Sequence, residues 1–125
     1  MTTSVLSPVL RWALASSAPL NLCGAILFSP PGAPLRAWAG YPEAPAFYQW
    51  TLASWVLAFG VAYGHAAWVN RADRSLLALG AFGKGVFFAL TVAMAMRAEL
   101  PWLTVAAASP DLILAILFLV GLRRP

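Results

Sequence analysis

Residues 75–96 read SLLALGAFGKGVFFALTVAMAM, an apolar stretch long enough to cross a bilayer as a helix, with one charge, Lys84, near its centre. At 1.5 Å per residue Lys84 sits about 13 Å from the start of such a helix, near the midplane of a hydrocarbon layer about 30 Å thick. The same pattern recurs on either side. NRADR (residues 70–74) separates this stretch from an earlier apolar one, residues 48–69, and so short a turn predicts antiparallel neighbours. RAELP (residues 97–101) closes it, and a further stretch covers residues 102–122, with Pro110 a candidate kink. The first stretch, residues 10–28, contains Pro19 and stops at SPPG (residues 29–32), where two prolines and a glycine cannot continue a helix. Residues 29–47 hold five prolines with Trp38 and Tyr41, which predicts an ordered interfacial loop with a short helical turn near residues 35–39.

The fold expected is therefore all-α: one transmembrane domain, an integral membrane four-helix bundle. Composition agrees, since 62% of the 125 residues are apolar and 10% charged, with mean hydropathy +0.79. That argues against a soluble enzyme and leaves no room for a second domain. The net charge of +4 does not signal nucleic acid, because the arginines are scattered at the ends of apolar stretches rather than gathered on one face. The lipid bilayer is the partner they fit. The early apolar run reads as an uncleaved helix, since no positive charge precedes it and Arg11 lies inside the region. The lone cysteine, Cys23, reads as a buried inert thiol.

With four spans, Arg11, Arg71, Arg74, Arg123 and Arg124 share one side, against Arg36 and Arg97 on the other. The bias of positive charge predicts both termini in the cytoplasm. Trp12 and Trp68 fall at that end, Trp38, Trp50 and Trp102 at the other, and Trp55 is deeper.

Each span carries one candidate polar group: Asn21, His65, Lys84 and Asp111. A central Lys or Asp costs roughly 2.5–3.5 kcal/mol on insertion, while each Leu, Ile, Phe or Val returns about 0.3–0.6. The apolar residues of the third span barely cover Lys84, so the economical arrangement turns Lys84 and Asp111 inward, paired directly or through water. Lys84 then shares its face with Gly80, Ala81, Phe87 and Phe88, the two phenylalanines being candidate pocket walls. Gly60-x-x-x-Gly64 is a candidate close-approach face. The pair could fix helix register or bind a ligand or proton, with snorkelling toward lipid the least favoured reading. His65 could be a packing residue or titrate, and Asn21 could be interhelical glue or a ligand contact.

No Cys-x-x-Cys, phosphate-binding glycine loop or His-Glu-x-x-His is present, and ligands for a haem or metal cluster are too few. No cofactor and no metal are expected. A Schiff base on Lys84 with Asp111 as counter-ion is conceivable, but the familiar retinal pocket needs more helices than four.

Asn21 in the first span, the proline-rich loop, Gly83-Lys84 in the third and Asp111 in the fourth resemble the layout of small bacterial four-helix inner-membrane proteins of the DoxX-like group. The resemblance covers most of the chain in topology and implies a four-helix bundle in a bacterial inner membrane; it carries no activity. The residues themselves favour a non-catalytic membrane protein whose internal polar site binds a small or lipid-like ligand or responds to protonation. Two alternatives stand beside it. One is an enzyme on a lipid-soluble substrate with Lys84 and Asp111 as acid and base. The other is a homo-oligomeric or accessory subunit of a membrane complex, which would expose its Gly60/Gly64 face.

Overall fold

Ser7 and Pro8 begin the first long helix: the Ser7 hydroxyl accepts from the Leu10 amide at 3.2 Å, and proline at the first helical position sacrifices no hydrogen bond. In the computed structural model, which describes residues 3–123, this helix, α1, runs Pro8–Phe28. A short strand β1 (Thr3–Val5) precedes it. After α1 a single 3-10 turn, Pro30–Gly32, leads into the short helix α2 (Ala33–Ala39), which lies at 87° to α1. Then follow α3 (Ala46–Val69), strand β2 (Arg71–Asp73), α4 (Arg74–Met96) and α5 (Trp102–Arg123). Pro19 and Pro110 are both accommodated inside continuous helices. Arg124, counted in the charge bias, lies outside the described residues.

The helices α3, α4 and α5 are each long and apolar enough to cross a membrane, and α1 joins them if its bent continuation through Ala39 is counted with it. Their apolar side chains point largely outwards: Val61, Phe82, Ile113 and Leu119 are all exposed. Small and polar residues such as Ser17, Ala81, Thr104 and Ala108 face inwards. A helix that is apolar all round, with its largest side chains outside, suits a lipid surround better than water.

Helix order corrects one expectation. The helices α3 and α4, though joined by a short connection, barely touch; α1 packs along α3, α5 packs along α4, and α1 meets α5 across the middle. The connection is the physical reason. Asn70 ends α3 in the left-handed conformation at φ 57°, and Arg71–Asp73 then runs extended, paired antiparallel with Thr3–Val5. Three extended residues span about 10 Å, enough to hold the helix ends apart. Leu6 and Ala72, carried by this ribbon, are buried in the core between them.

The core is therefore lopsided. Leu10, Leu14, Tyr63, Leu77, Leu114 and Phe118 pack together with Leu6 and Ala72 at the ribbon end. Arg74 donates to the Leu122 carbonyl at 2.7 Å and Arg11 to that of Ala67 at 3.0 Å, tying the same end together. The α1–α3 crossing depends on Gly60 and Gly64: a Cβ on Gly60 would lie 2.8 Å from Asn21 Cβ, and one on Gly64 3.3 Å from Ala18 Cβ. That small-residue face is thus used within the chain, against the exposed face expected of an assembly subunit.

Candidate functional site

Away from the ribbon the bundle opens. Because α3 and α4 diverge, a cavity of about 460 Å³ lies between them, backed by α1 and α5 and roofed by α2. Its walls are mainly apolar, including Leu27, Val56, Phe59 and Phe87. Trp55 and Leu79, which line it from α3 and α4, are also exposed on the outer surface, so the cavity opens sideways between these two helices.

The polar cluster lies on its inner wall. Lys84 Nζ donates to Asp111 Oδ1 at 2.9 Å and to Asn21 Oδ1 at 3.1 Å, and sits 5.5 Å over the Tyr63 ring. Asn21 Nδ2 donates to the Val56 carbonyl at 2.9 Å, joining α1 to α3. One network therefore connects α1, α3, α4 and α5. Lys84 is buried, whereas the Asp111 side chain keeps 21% of its surface accessible. Its second oxygen, Oδ2, accepts no hydrogen bond among the described residues; nor does the hydroxyl of Tyr63 or Tyr41 make one there.

Three of the four polar residues read from the sequence thus come together, and His65 does not. His65 is exposed on α3 and makes no side-chain hydrogen bond among the described residues. It follows Tyr63 by two residues, a rotation of about 200° around a helix, so with Tyr63 inside it points out. Of the two phenylalanines, Phe87 lines the cavity and Phe88 does not. Cys23, expected to be buried, is exposed and lines the cavity.

Sequence reasoning passed over the roof. Arg36 is 2% exposed, and its guanidinium donates to the Leu27 carbonyl at 2.6 Å and to the Ser29 carbonyl, closing the C-terminus of α1. It also grips Glu43 in a two-pronged pair at 3.0 and 3.2 Å, and Gln49 donates to the same carboxylate at 3.0 Å. Gly32 makes this possible: a Cβ there would lie 2.2 Å from the Ile26 carbonyl oxygen. Thr104 on α5 donates to the Ala39 carbonyl at 2.6 Å, pinning the far end of α2. Phe28, Tyr41 and Phe87 then pack ring to ring, with centroids 5.2 to 6.1 Å apart, over the cavity. Burial, and secondarily the negative charge of Asp111, raise the Tyr41 pKa, so its hydroxyl stays protonated. The signals in the sequence were the opposite charges of Arg36 and Glu43 in one proline-rich loop and, for Tyr63 on the inner wall, a tyrosine hydroxyl inside an apolar span.

The hydrogen bond from Arg36, aided by that from Gln49 and the charge of Arg36 and opposed by burial, holds the Glu43 pKa below its ordinary 4.5. A carboxylate with a lowered folded pKa stabilises the fold above its unfolded pKa, and this contribution disappears as pH falls through the folded value. Unfolding temperature is therefore expected to hold from neutral pH down to about 4.5 and to decline below it. Glu43→Gln should flatten part of that acid limb; an unchanged acid limb would show the bracket to be energetically silent.

Among the described residues no three His, Cys, Asp or Glu side chains gather in one place. The chemistry of the site is that of an ammonium, a carboxylate, a carboxamide and two phenols facing an apolar chamber. No protein family, curated protein or solved structure matches this chain.

Proposed function

We propose that this chain is a multi-pass protein of the bacterial inner membrane, with both termini cytoplasmic. It takes a small lipid-like molecule from the bilayer through the cleft between α3 and α4 and holds it against the Lys84, Asp111 and Asn21 cluster. One observation carries the reading: a polar cluster on the inner wall of a largely apolar cavity that opens sideways between two lipid-length helices. The cavity volume falls within the roughly 300–1,000 Å³ typical of small-molecule sites, and a few convergent polar groups in an apolar wall are what such sites use for orientation. Intramembrane charge facing a bundle interior points the same way. The orientation draws on Arg11, Arg71, Arg74 and Arg123 lying at the ribbon end against Arg36 and Arg97 at the other.

The mouth offers a direct test. A side chain on Gly83 meets nothing within 4 Å and would project from the cavity lining, whereas Gly85, equally unobstructed, does not line the cavity. Native mass spectrometry of protein purified in mild detergent is expected to show a bound lipid-soluble molecule in the wild type and in Gly85→Phe. Gly83→Phe should lose it at unchanged thermal stability. Retention of the molecule by Gly83→Phe, or a wild type that carries none, would refute the reading.

A further inference from the structure

Resting on that reading, we infer that the occupant is an uncharged amphiphile whose head group is a hydroxyl, seated between Asp111 Oδ2 and the Tyr63 hydroxyl. The assignment follows from which polar groups in the cavity are already engaged. An ammonium has three donors. Lys84 donates to Asp111 at 2.9 Å and to Asn21 at 3.1 Å, and its Nζ lies over the face of the Tyr63 ring, 5.5 Å from the centroid, a cation–π contact. Lys84 therefore has little left to offer a ligand, and its charge is already balanced by Asp111.

The groups with unused capacity are different ones. Asp111 Oδ2 is an acceptor without a donor among the described residues, and the side chain lines the cavity and keeps 21% of its surface accessible. The Tyr63 hydroxyl has no partner among the described residues, and Tyr63 lines the same cavity. It is brought close to α4 by Gly80, where a Cβ would stand 2.6 Å from the hydroxyl oxygen. Lys84 lies against both Asp111 and the Tyr63 ring, so carboxylate and phenol flank one region of the chamber. A head group placed there must donate to the carboxylate and can accept from the phenol. A hydroxyl does both.

The alternatives fail on charge. A carboxylate or phosphate head is acceptor-only when ionised and would face Asp111 with no free cation to balance it. An alkylammonium would donate to Asp111 but leave two cations sharing one carboxylate in an apolar chamber, an uncompensated charge with a heavy desolvation cost. The apolar walls and the aromatic roof of Phe28, Tyr41 and Phe87 take the hydrocarbon body.

Cys23 supplies the readout, because it is exposed on the cavity lining and is the single cysteine of the chain. Wild-type protein in phosphatidylcholine nanodiscs is labelled with a maleimide at neutral pH in the presence of decane, decanol, decanoate or decylamine, compared at equal concentration within the bilayer. Decanol is expected to slow labelling at concentrations at least tenfold below the other three. Tyr63→Phe should weaken decanol alone by about three- to tenfold, the worth of one neutral hydrogen bond. If decanoate, decylamine or decane protects as well as decanol, or Tyr63→Phe leaves decanol unaffected, the hydroxyl assignment is overturned while the cavity reading stands. If no probe slows the labelling of an otherwise reactive Cys23, the cavity reading itself fails and this assignment with it.

Discussion

Asp111→Leu is expected to cost about 2–3 kcal/mol of unfolding free energy, and Lys84→Met in the same chain to return most of it. Removing one partner of a buried ion pair typically costs 3–5 kcal/mol, because the other charge is left uncompensated. The lower figure applies here since the Asp111 side chain keeps 21% of its surface accessible. Asn21 cannot substitute, being neutral and already tied to the Val56 carbonyl at 2.9 Å. The double variant has no unpaired charge and adds apolar volume, so it should lie within about 1 kcal/mol of wild type. Chemical denaturation of wild type, Asp111→Leu, Lys84→Met and the double variant in one detergent provides the cycle. Equal stability of Asp111→Leu and wild type would mean that the pair adds nothing to the fold. Loss of the bound molecule from a stable double variant would separate binding from structure.

Arg36→Met should be comparably damaging, by about 3 kcal/mol. Its guanidinium serves two backbone carbonyls at the end of α1 and a carboxylate at once, and hydrogen bonds to a charged group are worth roughly 1.5–3 kcal/mol each, with part recovered by water near the surface. The loss is local in origin. Without the bracket the 87° turn into α2 loses its cross-ties, and the roof over the cavity loosens. Faster maleimide labelling of Cys23 should therefore accompany the lower unfolding temperature. Arg36→Lys should recover only part of either effect, because an ammonium cannot reproduce a planar fork directed at two partners. A destabilised Arg36→Met with wild-type Cys23 reactivity would show that the bracket stabilises the chain without controlling the chamber.

Lys84 and Asp111 are legible in the sequence because depth in an apolar stretch and the cost of a bare charge there both follow from residue order. Asn21 joined them on the same ground. His65 looked equivalent by polarity, yet which way a helix faces is set by its neighbours, and α3 is uniformly apolar enough to give no preferred face. Tyr63 was missed for the complementary reason: a tyrosine counts as apolar in a hydropathy pattern, although its hydroxyl is one of the free groups of the chamber. Arg36 resembled an ordinary interfacial arginine, and only the turn at Gly32 brings it beneath the end of α1.

The order of residues by itself determined the long apolar helices, the breaks between them and the depth of each polar group, since these depend on local hydropathy and on where proline and glycine stop a helix. The tertiary structure decided which helices touch. Three residues drawn into a ribbon with the N-terminal strand hold α3 away from α4, a pairing across some seventy positions that no local pattern encodes. That separation, rather than any single side chain, creates the chamber into which Asp111 and Tyr63 present their unused hydrogen-bonding capacity.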